Sequence, residues 1–205
     1  MKIGIVLPVY NEAKKIKQVL KKLKSQDLKI FIVNDGSVDK TLQILRESSK
    51  NPKKIKIFSH KINLGKGAAL KTGFKAAFDD GMDAVIMMDS DGQHATEDLH
   101  KFIEKVETNR YDMVLGSRNL HQGVPLIRFL GNKLASVLIT ALFNYYVSDI
   151  LCGFRAITRN AYNKLKIEST GYGIETEMIV KASKYKLRTC EVNIETIYYD
   201  KHKGV

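Results

Sequence analysis

The sequence predicts an α/β domain with a mostly parallel central sheet and helices on both faces. Three observations carry that expectation. Short β-branched runs alternate with helical patterns over roughly the first 120 residues. The runs are nearly continuous in apolar residues, as strands covered on both sides require. Polar residues gather directly after the runs, where open α/β sheets bind their ligands.

The elements follow in order. The first run, Ile3–Leu7, ends in Pro8-Val9-Tyr10-Asn11-Glu12. Behind it Ile16, Val19, Leu20 and Leu23 fall at helical spacing, with Asn11 expected as their N-cap. The second run, Ile30–Val33, ends in Asn34-Asp35-Gly36-Ser37, and Asp39 is expected to cap the next helix. The third, Ile55–Phe58, precedes the Gly-rich Asn63-Leu64-Gly65-Lys66-Gly67, which enters a helix marked by Leu70, Phe74, Ala77 and Phe78. The fourth, Ala84–Met88, ends in Asp89-Ser90-Asp91-Gly92-Gln93, and a stripe of Leu99, Phe102, Ile103 and Val106 follows. The fifth, Met113–Leu115, ends in Gly116-Ser117-Arg118-Asn119. The stripes are read as core, and the polar loops as one shared site.

Composition sets the outer limits. The chain has 205 residues, of which 44% are hydrophobic, enough for one packed domain and too many for a disordered chain. Three prolines and no low-complexity stretch leave no evident linker. Cys152 and Cys190 make no disulfide framework and are expected to be reduced thiols of a cytosolic protein. The opening residues are too short an apolar run for a signal peptide. No segment reaches the ~18 apolar residues of a membrane span; the nearest, Leu134 to Val147, is broken by Ser136, Thr140 and Asn144. The net charge of +12 points to an anionic partner, although much of it is lysine on helix faces, such as Lys14, Lys17 and Lys21.

The chemistry centres on Asp89-Ser90-Asp91. Two carboxylates at i and i+2 of extended backbone point to one side and repel unless a cation sits between them. Their oxygens suit Mg²⁺ or Mn²⁺, with a diphosphate completing the shell and Gln93 adding a neutral oxygen. The competing reading is a capping turn with surface aspartates. Asp35 ends its strand in the same manner and offers an acceptor to a base or ribose, or else closes an Asx turn. The Asn63–Gly67 loop offers backbone amides to phosphate, but it is neither a dinucleotide fingerprint nor a P-loop.

Taken together, Leu7-Pro8-Val9-Tyr10-Asn11-Glu12, Val33-Asn34-Asp35-Gly36-Ser37, Asn63-Leu64-Gly65-Lys66-Gly67, Met88-Asp89-Ser90-Asp91-Gly92-Gln93-His94, Gly116-Ser117-Arg118 and Cys152-Gly153-Phe154-Arg155-Ala156 resemble, in order and spacing, the family 2 glycosyltransferases. The branch is that of dolichyl-phosphate mannose synthase and its polyprenyl-phosphate relatives. The resemblance implies a GT-A (Rossmann-like) fold and an inverting, metal-dependent transfer. The donor would be GDP-mannose or a UDP-sugar, and the acceptor dolichyl or polyprenyl phosphate.

On that resemblance Pro8, Tyr10, Glu12, Val33 and Asp35 form the nucleoside pocket, joined by Lys66 and Ser90 in holding the nucleotide-sugar. Asp89, Asp91 and Gln93 hold the metal. Arg118 and Arg128 bind the acceptor phosphate, a task that suits the donor fork of arginine. Asp149 is the candidate for a second acidic group beside Asp91 and Arg118 in the catalytic set. Of Glu175 and Glu177, only one can face the site, and the resemblance favours Glu177. Residues 1–205 are expected to form one domain, with 1–120 as the nucleotide-sugar half and 121–205 as the acceptor half. Interfacial helices are expected at 125–147, with Lys133 near the start of the apolar stretch Phe129 to Tyr146. These would make a peripheral contact at the cytosolic face of a membrane. Relatives usually continue beyond the loop at Asp200–Val205 into a Ser-Lys segment and further membrane-associated helices, so a removed tail or a minimal member is expected. A phosphate acceptor is already an anion, so no strong base is required; a sugar hydroxyl, the alternative acceptor, would need one. A sugar-nucleotide pyrophosphorylase would show an N-terminal Gly-rich signature, which is missing. A basic nucleic-acid-binding module would leave the paired aspartates unexplained, so no nucleic acid is expected.

Overall fold

The structure, a computed structural model, describes residues 1–49, 51–118, 136–137, 140–141 and 145–197. Its strands are β1 (Ile3–Val9), β2 (Lys29–Asp35), β3 (Ile55–His60), β4 (Ala84–Met87), β5 (Met113–Arg118), β6 (Arg155–Thr158) and β7 (Thr189–Ile194). Its helices are α1 (Ile16–Lys24), α2 (Thr41–Ser48), α3 (Lys66–Asp79), α4 (Leu99–Glu107), α5 (Arg159–Leu165) and α6 (Ile174–Lys184). The seven strands form one sheet in the order β3-β2-β1-β4-β6-β5-β7. All pairings are parallel except those of β6, which runs antiparallel to both β4 and β5. The mostly parallel sheet predicted from the sequence is therefore present, with one reversed strand that the apolar runs did not disclose.

Alternation along β1 shows how the sheet is covered. Ile5 and Leu7 pack on one face with Ile16, Leu20, Leu23 and Phe102, drawn from α1 and α4. Val6, pointing the other way, packs with Phe31, Leu70, Phe74 and Met178, so α3 and α6 cover the second face. Both faces are sealed, which is why the strands read as unbroken apolar runs.

The strands extend further than their apolar runs. β2 continues to Asp35 and β5 to Arg118, so these two polar residues are held by sheet pairing. Asn11 is not the cap of α1. Its backbone is left-handed at φ 53°, and its side-chain Oδ1 accepts a hydrogen bond from the Val38 N–H at 2.9 Å. It ties the loop after β1 to the loop after β2. Asp39 is not the N-cap of α2 either: Lys40 holds that place, and Asp39, one residue earlier, accepts from the Thr41 N–H at 2.9 Å and, on its other oxygen, from the Ala13 N–H at 3.2 Å. Among the described residues, no helix is long and apolar enough to cross a membrane. Arg128, Lys133 and most of the 125–147 stretch lie outside the described residues.

Candidate functional site

A cavity of about 460 Å³ opens at the carboxyl ends of β1, β2 and β4. The loop after β1 supplies Pro8, Tyr10 and Glu12, and β2 supplies Asp35. Lys66, the first residue of α3, and Asp89, Ser90 and Asp91 after β4 complete the wall facing them. These eight were all singled out from the sequence. Asn63, named only as part of the Gly-rich loop, also lines the cavity, as does Tyr172, which was not singled out and is 83% exposed at the mouth. Val33, assigned to the nucleoside pocket, is absent from the wall. It is fully buried within the sheet, paired with Pro8 on one side and Phe58 on the other.

Asp35 organises the cavity floor. One carboxylate oxygen accepts from the Leu64 N–H at 2.9 Å and lies 2.7 Å from His60 Nδ1. The other accepts from the Gly65 N–H at 2.8 Å. Two of the amides expected to meet phosphate, those of Leu64 and Gly65, are thus committed to the protein, and the Ala68 N–H donates to the Thr170 carbonyl at 2.9 Å. The glycines of this loop serve close packing: a Cβ on Gly65 would stand 2.5 Å from the Thr170 oxygen, and one on Gly67 2.5 Å from the Ser169 oxygen.

Asp89 sits at the crossing of four elements. Its Oδ1 lies 2.5 Å from Lys66 Nζ, and the same ammonium lies 2.6 Å from Glu175 Oε1 at the start of α6. Burial alone would lower the Lys66 pKa, but Asp89 and Glu175 raise it above its ordinary value. Burial would raise the Asp89 pKa, and the Lys66 ammonium outweighs it, so the carboxylate is held below its ordinary value. The Asp89 N–H donates to His94 Nδ1 at 3.1 Å. Burial pushes the His94 pKa down. The ring is therefore neutral, with its proton on Nε2, and stacks on Phe154 at 5.0 Å. Gly153, in the loop just before β6, presses on Asp89: a Cβ there would stand 2.5 Å from Asp89 Oδ2.

Asp91 accepts from the Gln93 N–H at 2.9 Å, so the segment is a turn as well as a wall of the cavity. Among the described residues, no ion pair is made to Asp91. Its charge reaches Glu12, whose pKa is raised by burial first and by Asp91 in addition. Two hard carboxylates in a field that disfavours more negative charge are a donor set fit for a divalent cation. Among the described residues, no three acidic, His or Cys groups converge on one point. The Gln93 side chain is not part of the wall.

Arg118 and Asp149, both predicted, meet each other. Arg118 Nε and Nη2 donate to the two Asp149 oxygens at 2.6 and 2.9 Å. Asp149 is 1% exposed, so it underlies the guanidinium and orients it; it is not an acid group lining the cleft. Cys152 is fully buried beside them, and burial pushes its thiol up to about 12, which makes it packing and not a nucleophile.

The preference for Glu177 is overturned. Glu175 reaches the site through Lys66, whereas Glu177 turns away and accepts from the Glu168 and Ser169 N–H groups, each at 2.8 Å. It also pairs with Lys181 at 2.7 Å. The principle that i and i+2 cannot share a face held; the choice between them did not. Burial would raise the Glu177 pKa, yet Lys181 and the two amides bring it from 4.5 to about 2. A depressed carboxylate stabilises the fold above its unfolded pKa and loses that contribution as pH falls toward the folded value. Glu177→Gln is therefore expected to flatten the fall of Tm between pH 4.5 and about 2 in calorimetry. Parallel curves for variant and wild type across that window would assign the acid sensitivity elsewhere.

Arg155 is the keystone that sequence reading passed over. It is 1% exposed and donates to the carbonyls of Cys152 (2.9 Å), Glu175 (2.6 Å) and Ile150 (2.5 Å). It thereby binds β6 and the loop before it to α6.

Comparison with known proteins gives the family and the fold. The model of glycosyl transferase family 2 matches residues 4–166. An uncharacterized protein of Methanocaldococcus jannaschii is 36% identical over 203 residues, covering 96% of this chain and 82% of its own length. The UDP-N-acetylglucosamine–dolichyl-phosphate N-acetylglucosaminyltransferase of Methanococcus voltae is 34% identical over 215 residues, covering 96% and 86%. In fold, the chain is similar to a mannosyltransferase of Pyrobaculum calidifontis solved with GDP-Man and Mn²⁺. The TM-score is 0.68 at 18% identity, over 98% of this chain and 58% of that one. The sheet and its helices are the GT-A arrangement, and the chain belongs to glycosyltransferase family 2.

Proposed function

We propose that the cavity binds a nucleotide-diphospho-sugar and that the protein transfers the sugar, with inversion, to dolichyl or another polyprenyl phosphate. The observation that carries this reading is the paired Asp89 and Asp91 at the end of β4, opening into a cavity walled by Pro8–Glu12 and Asp35. Mg²⁺ or Mn²⁺ is assigned to Asp89 and Asp91, with Gln93 beside them. A bound cation of this kind neutralises charge growing on the departing diphosphate. The Methanococcus voltae relative, named for a dolichyl-phosphate acceptor, and the Pyrobaculum enzyme, solved with a sugar nucleotide and Mn²⁺, support the assignment.

The residues divide the work. Asp35 holds the Asn63–Gly67 loop in place, and Ser90 and Lys66 border the place of the diphosphate. Asp149 aims Arg118 at the acceptor phosphate, and Arg128 is the second arginine assigned to it. A phosphate acceptor is already deprotonated near neutral pH. That suits a site in which the buried carboxylates Asp149 and Glu175 are engaged by Arg118 and Lys66. Residues 1–120 then form the donor half and 121–205 the acceptor half, working at the cytosolic face of a membrane.

The test is a thermal-shift panel of UDP, GDP and their sugars with Mn²⁺, followed by transfer of labelled sugar into polyprenyl phosphate. Selective, metal-dependent stabilisation that Asp91→Ala removes is expected. No shift of the wild type with any nucleotide would overturn the reading. Transfer to soluble sugars alone would replace the acceptor.

A further inference from the structure

Lys66 and Glu175 have a part in the site that ordinary nucleotide binding does not require. Lys66 Nζ stands between two carboxylates, 2.5 Å from Asp89 and 2.6 Å from Glu175. Its side chain is 15% exposed and that of Glu175 only 5%, against 29% for Asp89. The ammonium is thus held from the buried side by Glu175 and placed on a carboxylate that faces the cavity. Gly65 and Gly67 pack on Thr170 and Ser169, which fixes the start of α3 against the segment leading into α6 and so fixes the spacing of the pair. The Glu175 carbonyl is tied in turn to Arg155.

A cation so placed competes for the same oxygen as a divalent ion. We propose that Lys66 is a resident counter-ion of Asp89, anchored by the positioning residue Glu175, and that it leaves Asp89 only when a diphosphate arrives to receive the ammonium. Rested on the donor-binding reading above, this makes metal and nucleotide bind together: Asp89 is occupied while the cavity is empty, and its charge is released when diphosphate oxygens draw Lys66 away. Glu175 keeps the displaced ammonium within reach, so that no bare lysine is stranded in a half-buried wall.

The experiment is Mn²⁺ binding to the whole chain, read from the loss of the free-ion electron paramagnetic resonance signal, with and without UDP or GDP. The wild type is expected to bind Mn²⁺ weakly alone and much more tightly with its nucleotide. Lys66→Met removes a unit charge from beside a metal ligand, so Mn²⁺ alone should bind at least about tenfold more tightly. Its nucleotide complex should weaken, because the diphosphate loses a cation. Lys66→Arg keeps the charge and should restore weak binding of Mn²⁺ alone, which separates charge from packing. Glu175→Gln leaves Lys66 to Asp89, so its Mn²⁺ affinity alone should not rise, and the gain from adding nucleotide should shrink. Unchanged Mn²⁺ affinity in Lys66→Met, or an Arg variant as tight as the Met one, overturns the proposal while leaving the donor site intact. A wild type that holds no Mn²⁺ with either nucleotide overturns the donor-binding reading itself, and the proposal with it.

Discussion

Arg155→Met is expected to cost about 3–5 kcal/mol of stability, the range for stranding the partners of a buried ionic group. Methionine keeps the apolar stem of the side chain and donates nothing. The carbonyls of Cys152, Ile150 and Glu175 would each lose the donor that now reaches them at 2.5 to 2.9 Å. Water cannot take over readily, since the residue is 1% exposed. For a domain of this size the loss corresponds to a Tm lower by roughly 10 °C. Urea denaturation measures it directly. A midpoint within experimental error of wild type would mean that the carbonyls find other donors. Arg155→Lys should fall between the two, because one ammonium cannot fork to three acceptors.

Gly153→Ala is expected to leave the fold standing and to lower sugar transfer by about 10²-fold or more, the scale of loss for a displacement near 1 Å in a reacting site. The added Cβ would stand 2.5 Å from Asp89 Oδ2 and 2.9 Å from Oδ1. The carboxylate must therefore leave the position it now holds beside Lys66 and His94. Gly153 precedes β6 and takes no part in its pairing with β4 or β5, so the penalty falls on the site and not on the sheet. Steady-state transfer and nucleotide-dependent Mn²⁺ binding should fall together while Tm stays within a few degrees. Full activity would show that Asp89 has room to retreat without consequence.

Much of this site was legible because strand-end loops converge wherever parallel strands share a direction. Pro8, Asp35 and Asp91 could be brought together without knowing any side-chain contact. The reversed strand β6 was not legible: four residues, Arg-Ala-Ile-Thr, are too few to show a period, and its opening arginine reads as surface. β7 was hidden by its edge position, where exposed Glu191 and Asn193 alternate with buried Val192 and Ile194. The choice between Glu175 and Glu177 was available and missed. Met178, Ile179 and Ala182 are the buried residues of α6, and they lie three, four and seven positions after Glu175. The helical phase therefore puts Glu175 on the inner face, whereas Glu177 falls one turn before Lys181, with which it pairs. Asp149 could not be ranked as a base or a brace from sequence, because that depends on whether Arg118 covers it.

The reversal of β6 bears on how such a protein can vary. Because β6 runs against β5, the chain that departs after Arg118 comes back to the same rim of the sheet. Leu115 is registered with Arg155, and the Gly116 N–H donates to the Phe154 carbonyl at 2.8 Å. The excursion between them is pinched shut at its base by sheet hydrogen bonds, and doubling the length of such a loop costs only about 0.6 kcal/mol. Insertions, deletions or wholesale exchange of that segment need not disturb the register of any strand that carries the donor cavity. One such frame can thus be fitted with segments of different length and chemistry, and grafting between relatives is best cut at these two paired positions.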